Sequence, residues 1–237
     1  MMNTIKYTPL SVIFFVAFSL QAASFENSLL LNATRVIYKA SDKKGVVFSV
    51  TNNGSLPYLL QARIRENSQD PKKDIPFIIT PPLKRLAPQE SVRLRIIYAG
   101  DTLPRDRESV FSLVLKQIPA QDLNHTSKIT TVSVATQNTL KLFYRPAEIE
   151  ERNADKEREN VVFKKEPDSL AVSNPTPFWV TFESVSLNKH NIDIDNMIPP
   201  FGRSVMPLKE KTEGGSLEWT TINDNGYPSE PKVERVK

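Results

Sequence analysis

Val92-Arg93-Leu94-Arg95-Ile96 alternates apolar and cationic side chains one for one. In an extended chain every Val, Leu and Ile then falls on one face and every Arg on the other. That period of two marks a strand half-buried in a sheet. The same signal recurs on both sides of it. Residues 46–50 form a compact apolar run that stops at the turn signal Asn52-Asn53-Gly54, and Pro57-Tyr58-Leu59-Leu60-Gln61-Ala62-Arg63-Ile64 restarts as another strand. Residues 75–80 are a further strand, ending at Pro81-Pro82. Ser109-Val110-Phe111-Ser112-Leu113-Val114-Leu115 follows, and residues 129–144 make one long extended segment. Long helical periodicity is absent, and 18 prolines and 7 glycines punctuate the runs. About seven short strands before residue 146, separated by turns, indicate a β-sandwich of immunoglobulin type.

Beyond Pro146 the composition changes. Residues 148–160 are dense in charge with almost no apolar residue, which reads as a linker or solvated loop. Short β-like runs then return at 161–163, 170–172, 178–182, 192–194 and 217–222, enough for a second, smaller sandwich. The last eight residues, rich in Pro, Glu and Lys, read as disordered. At the other end, Lys6 precedes the apolar run Leu10-Ser11-Val12-Ile13-Phe14-Phe15-Val16-Ala17-Phe18-Ser19-Leu20 and the small residues Ala22, Ala23 and Ser24. That order is the layout of a secretory signal peptide. The run is roughly half of the ~20 residues a membrane span needs, and no later segment is apolar enough to span. The expected division is a signal peptide over 1–23, a first domain over 24–146, a charged linker over 147–160 and a second domain over 161–237.

The composition narrows the chemistry. With no cysteine there is no disulfide, thiolate nucleophile or cysteine-ligated metal, so core burial alone must hold the fold. The two histidines, His125 and His190, stand in polar stretches without partners at metal-ligand spacing. Neither a Gly-x-Ser-x-Gly elbow nor a Gly-rich phosphate loop is present. Thirty-one Lys and Arg against 27 Asp and Glu leave a scattered +4, not the basic stripe of a nucleic-acid binder. The expectation from composition is a protein that is not an enzyme, with no cofactor or metal.

The segment from Thr130 to Arg145 is the candidate binding element. Val132 and Val134 share one face of an extended strand, with Thr136 next on it; Ser133, Ala135 and Gln137 share the other. Two readings stand. The valines fill this domain's own core, or they lie on an open sheet edge, where a partner chain can add a strand.

Several motifs, taken together, resemble the periplasmic pilus-assembly chaperones of the chaperone–usher pathway. They are Thr34-Arg35-Val36-Ile37-Tyr38, Leu56-Pro57-Tyr58-Leu59-Leu60-Gln61-Ala62, Thr80-Pro81-Pro82-Leu83-Lys84-Arg85-Leu86, Leu103-Pro104-Arg105-Asp106-Arg107-Glu108-Ser109-Val110-Phe111, Leu140-Lys141-Leu142-Phe143-Tyr144-Arg145-Pro146, Asn174-Pro175-Thr176-Pro177-Phe178 and Ile222-Asn223-Asp224-Asn225-Gly226. Residues 120–128 are short, as in the short-loop branch of that family.

The resemblance implies an all-β chain of two immunoglobulin-like sandwich domains set at an angle, working in the periplasm. It assigns Arg35 and Lys141, which sequence alone reads as ordinary surface charges, to gripping the C-terminal carboxylate of a pilus subunit. It assigns Val132 and Val134, and more weakly Thr130 and Thr136, to a strand donated to that subunit; a larger apolar residue would be expected at Thr136. Glu108, Arg145 and Asp224 are assigned to an ion network between the domains. The implied partners are pilus subunits and an outer-membrane usher, without nucleic acid or membrane insertion, and an exposed edge would also let two free copies pair. The rival readings are a fimbrial subunit or adhesin, and an enzyme on a sandwich scaffold.

Overall fold

A computed structural model describes residues 29–66, 75–100, 103–119, 134–193, 197–208 and 214–237. The signal peptide, the 120–128 stretch, Thr130 and Val132 lie outside the described residues. The chain is all-β in two sandwiches. The first contains β1 (Leu29–Leu31), β2 (Arg35–Lys39), β3 (Val46–Asn52), β4 (Tyr58–Glu66), β5 (Phe77–Thr80), β6 (Leu83–Leu86), β7 (Ser91–Tyr98), β8 (Ser109–Pro119) and β9 (Thr136–Arg145). One sheet has the order β1-β3-β7-β5, the other β2-β9-β8-β4-β6.

The period-two runs do what their patterning requires. Val92, Leu94 and Ile96 of β7 are buried while Ser91, Arg93 and Arg95 are exposed. Tyr58, Leu60, Ala62 and Ile64 of β4 point inward against Leu113 and Leu115 of β8. Burial of each such side chain contributes roughly 1.5–3 kcal/mol, and in a chain without cysteine these faces carry the stability.

The second sandwich contains β10 (Val162–Glu166), β11 (Ser169–Ser173), β12 (Val180–Leu187), β13 (His190–Asn191), β14 (Met197–Ile198), β15 (Arg203–Pro207), β16 (Gly215–Thr221) and β17 (Lys232–Val236). Sheet β10-β11-β15 faces sheet β13-β12-β16-β17, and β14 pairs with β12 beside it. Among the described residues no helix is long and apolar enough to cross a membrane.

Two expectations are corrected. The last eight residues are not disordered: β17 pairs antiparallel with β16 and its Val236 enters the core. One valine placed on the inward face is enough to dock a strand whose other residues are mostly charged. Residues 147–160 are not a solvated linker throughout. They hold the short helix α1 (Ala154–Glu157), whose N-cap Asn153 accepts a hydrogen bond from the Lys156 amide, and a 3-10 turn at Arg158–Asn160. Ile149 and Ala154 pack on Phe178, and Arg158 is buried because carboxylates meet it.

Each sandwich is fastened by a buried asparagine in the same way. Asn52 Nδ2 donates to the carbonyls of Leu56 (2.9 Å) and Ala87 (3.0 Å), and its Oδ1 accepts from the Gly54 amide (2.9 Å). Asn174 Nδ2 donates to the carbonyls of Phe178 (2.7 Å) and Pro199 (3.0 Å), and its Oδ1 accepts from the Thr176 amide (3.0 Å). Each side chain ties a tight turn to a distant loop. Asn52→Ala or Asn174→Ala strands buried backbone groups, so each should cost about 2–4 kcal/mol. Urea unfolding should show a lower midpoint with an unchanged slope; a loss below 1 kcal/mol would contradict this role.

Candidate functional site

The site starts from an interrupted strand. Leu31 of β1 pairs with Val50 in one sheet, whereas Arg35 of β2 pairs with Lys141 in the other. Between them the Asn32 side chain accepts from the Ser49 amide (2.9 Å), holding the chain on the β3 side until it crosses. The crossing decides how much of β9 is covered. On one side β9 pairs with β8 from Gln117↔Thr136 to Ser109↔Tyr144, all but its last residue. On the other, β2 runs parallel to it and reaches only Lys141 to Arg145. Among the described residues, 136–140 have no strand on that edge.

Register fixes which side chains line this edge. Residues directly opposite in a ladder share a face. Leu140 lies opposite the core residue Leu113, Asn138 opposite Leu115 and Thr136 opposite Gln117. Leu140 is buried, while Thr136 is exposed and its hydroxyl donates to the Gln117 side-chain carbonyl. Val134, two residues earlier and 51% exposed, continues the same row beyond the end of the core.

The covered part of β9 carries the cations. Arg35 and Lys141, direct partners in the β2–β9 ladder, project on the face opposite the core, beside Phe143. Arg35 Cζ stands 5.8 Å over the Phe143 ring, and its Nη1 donates to the Ile222 carbonyl of the second sandwich at 3.4 Å. Its Nε is buried without an acceptor among the described residues. Lys141 is half-buried. Burial, and then the Arg35 charge, bring its pKa down from 10.5 to about 8. The two cations thus sit together, partly out of water.

The three ion-network residues do meet. Arg145 Nη2 lies 2.7 Å from Glu108 Oε1, and Arg145 Nη1 lies 2.8 Å from Asp224 Oδ2. The sequence reading missed three further members. Arg158, 1% exposed, donates from Nη1 to Asp155 Oδ1 and Asp224 Oδ1, both at 2.8 Å, and from Nε to the Trp179 carbonyl at 3.0 Å. Trp179 returns its amide to Glu108 Oε2 at 2.9 Å. Arg145, Arg152 and Arg158 stand 5.1, 5.9 and 5.8 Å from the centre of the buried Phe178 ring, within reach of cation–π attraction. Burial alone would raise the Asp224 pKa, but the hydrogen bonds from Arg145 and the charge of Arg158 hold it below the ordinary value. The spacing of Asp155 and Arg158, one helical turn apart after the cap Asn153, was the available signal.

The chain is similar to known proteins in both sequence and fold. The model for the pili and flagellar-assembly chaperone, PapD N-terminal domain, matches residues 28–150, and that for the pili assembly chaperone PapD, C-terminal domain, matches 156–232. Chaperone protein HifB of Haemophilus influenzae is 35% identical over 228 residues, covering 93% of this chain and 92% of the relative. The SafB chaperone solved with SafA pilin of Salmonella enterica superposes with a TM-score of 0.78 at 29% identity, covering 88% of this chain and 96% of that chain. The periplasmic chaperone SfaE gives a TM-score of 0.65 at 33% identity over 88% of this chain and 99% of that chain. Matched through both sandwiches, this chain belongs to the PapD family of pilus-assembly chaperones.

Proposed function

We propose that this chaperone binds an unfinished pilus subunit along the open edge of β9 and grips the subunit's C-terminal carboxylate between Arg35 and Lys141. The observation that carries this reading is the meeting of edge and cations. The stretch 136–140, uncovered among the described residues, ends where β2 begins, and Arg35 and Lys141 stand at that point, the Arg35 Nε without an acceptor among the described residues. A strand laid along the edge toward Lys141 runs parallel to β9, in the line that β2 takes up, and its terminus arrives at the two cations. A carboxylate there accepts charge-assisted hydrogen bonds, about twice as strong as neutral ones. Val134 and Thr136, with Val132 and Thr130 ahead of them, would fill the subunit's groove. The SafA–SafB pairing of pilin and chaperone supports the class of partner.

On this reading the protein acts in the periplasm, after removal of a signal peptide over 1–23, and hands subunits to an outer-membrane usher. It is a binding protein and not an enzyme, using neither nucleotide nor metal, because the subunit's folding against the donated strand supplies the driving force. Glu108, Arg145 and Asp224 hold the two sandwiches in the orientation that forms the cleft.

Three outcomes are expected. Coexpressed with a subunit from its own gene cluster, the wild type should elute as a stoichiometric complex, and Lys141→Ala or Arg35→Glu should abolish it; an undiminished complex would sink the carboxylate anchor. Val134→Asp should leave the free chaperone's stability within ~0.5 kcal/mol, since the side chain is exposed, yet weaken the complex by about 1.5–3 kcal/mol. Equal loss in both measurements would mean that Val134 serves the chaperone's own fold.

The third concerns pH. Subunit affinity should hold at neutral pH and fall as Lys141 deprotonates through about 8. Stability of the free chaperone should move the other way. Between the folded value of about 8 and the unfolded 10.5 the unfolded chain binds more protons, so stability rises with pH across that window. Lys141→Gln should flatten both profiles, and a profile unaltered by that substitution would remove Lys141 from the site.

A further inference from the structure

Arg158 lies in neither sandwich's sheets, yet it touches the part of the second domain that reaches the anchor. That part is the closed turn from Ile222 to Pro228. Asn223 receives the Gly226 amide on its carbonyl (3.0 Å) and the Tyr227 amide on Oδ1 (2.9 Å), and its own amide donates to the Tyr227 carbonyl (2.8 Å). Besides Arg145, which donates to Asp224, the turn meets the first domain at two consecutive residues, Thr34 and Arg35. The Ile222 carbonyl accepts from Arg35 Nη1. Gly226, at φ +86°, comes so close to Thr34 that an added Cβ would stand 2.0 Å from the threonine hydroxyl. Arg35 opens β2 and Thr34 stands just before it, where the uncovered edge of β9 ends.

Asp224 anchors the turn from behind. Its amide donates to Asp155 Oδ1 (2.9 Å) and its carboxylate accepts from Arg158, which is itself fixed to Asp155 and to the Trp179 carbonyl. We propose that Arg158 is a positioning residue for the carboxylate anchor: it locks the Ile222–Pro228 turn in place, and the turn's Ile222 carbonyl aims Arg35 toward Lys141. This rests on the reading of Arg35 and Lys141 as the anchor and adds a residue that touches neither of them by hydrogen bond. Among the charges around Arg35, that of Arg158 acts most strongly on it after burial itself, and both lower its pKa.

The test uses the mature chain and a short synthetic peptide of alternating valine and threonine, made with either a free C-terminal carboxylate or a carboxamide. Wild type should prefer the carboxylate by tenfold or more. Arg158→Gln should remove most of that preference while leaving carboxamide binding as it was. In the same variant the Lys141 side chain, followed by NMR of labelled lysine, should titrate at higher pH, because Arg35 is no longer held beside it. A residue that served only the fold would lower the melting temperature and move neither readout. A wild type without carboxylate preference would overturn the anchor and this inference with it. A wild type with the preference and an Arg158→Gln variant that keeps it in full would overturn this inference alone. If Arg158→Gln does not fold, Asp155→Ala carries the test with the same two outcomes, since the Asp155 side chain is 46% exposed and holds both Arg158 and the turn.

Discussion

The architecture depends on where the first strand changes sheets. Had the chain continued along β9 from Leu29 instead of pairing with β3, the edge at 136–140 would be closed and the domain would be an ordinary sandwich. The crossing between Leu31 and Arg35 leaves that edge without a strand among the described residues and sets Arg35 at its end in one stroke. An open edge is a hazard in most proteins because its backbone groups can pair with any passing strand. Here the exposed residues of the stretch are mostly short and polar (Thr136, Gln137, Thr139), so its unpaired groups stay in water at little cost. The apolar residue comes just before them, at Val134, where a partner's groove could take it.

A second constraint acts where the two sandwiches meet. Two guanidiniums and three carboxylates, Arg145 and Arg158 with Glu108, Asp224 and Asp155, gather around Phe178 where the two sandwiches meet. Taking such charges out of water costs several kcal/mol per ion, and well-packed apolar residues would often hold two surfaces together at least as firmly. Directed hydrogen bonds add geometry that apolar packing lacks. The Arg145 fork bonds Glu108 and Asp224 at once, so on the proposed reading the network specifies an orientation and not merely an attachment. Trp179 adds two more directed bonds, from its amide and its indole nitrogen, both to Glu108.

How much of this could be read in the sequence depended on whether the signal was local. β4 and β7 were legible because alternation is a property of neighbouring residues, and the turn at Asn52-Asn53-Gly54 because turn chemistry is short-range. Arg35 and Lys141 looked like any surface cations; only motif resemblance paired them, since a parallel ladder joining residues 106 positions apart has no local signature. Arg158 was hidden by its surroundings. In a run of charges each one looks solvated, and burial of a single arginine shows only when its partners are brought from residues 108, 179 and 224. β17 escaped for the opposite reason: pairing with β16 and one inward valine suffice to dock a strand that composition marks as disordered. Thr130 and Val132, proposed as donor residues, lie outside the described residues, so that proposal rests on the row that Val134 and Thr136 begin.

Arg35 and Lys141 also explain how such an edge could be selective. Two like charges side by side and half out of water raise the free energy of the empty cleft, which the depressed Lys141 pKa registers. An arriving carboxylate relieves that repulsion and adds its own attraction; a neutral peptide group or a mid-chain strand relieves nothing. On the proposed reading this difference fixes register. Side chains alternate with a period of two, so a strand that slips by one residue turns its whole apolar row from the groove to solvent. A terminus held by two cations forbids the slip. Buried side chains would then supply most of the binding energy and the charged end the frame in which they count, so a sheet edge able to bind almost any strand would accept one that ends in the right place.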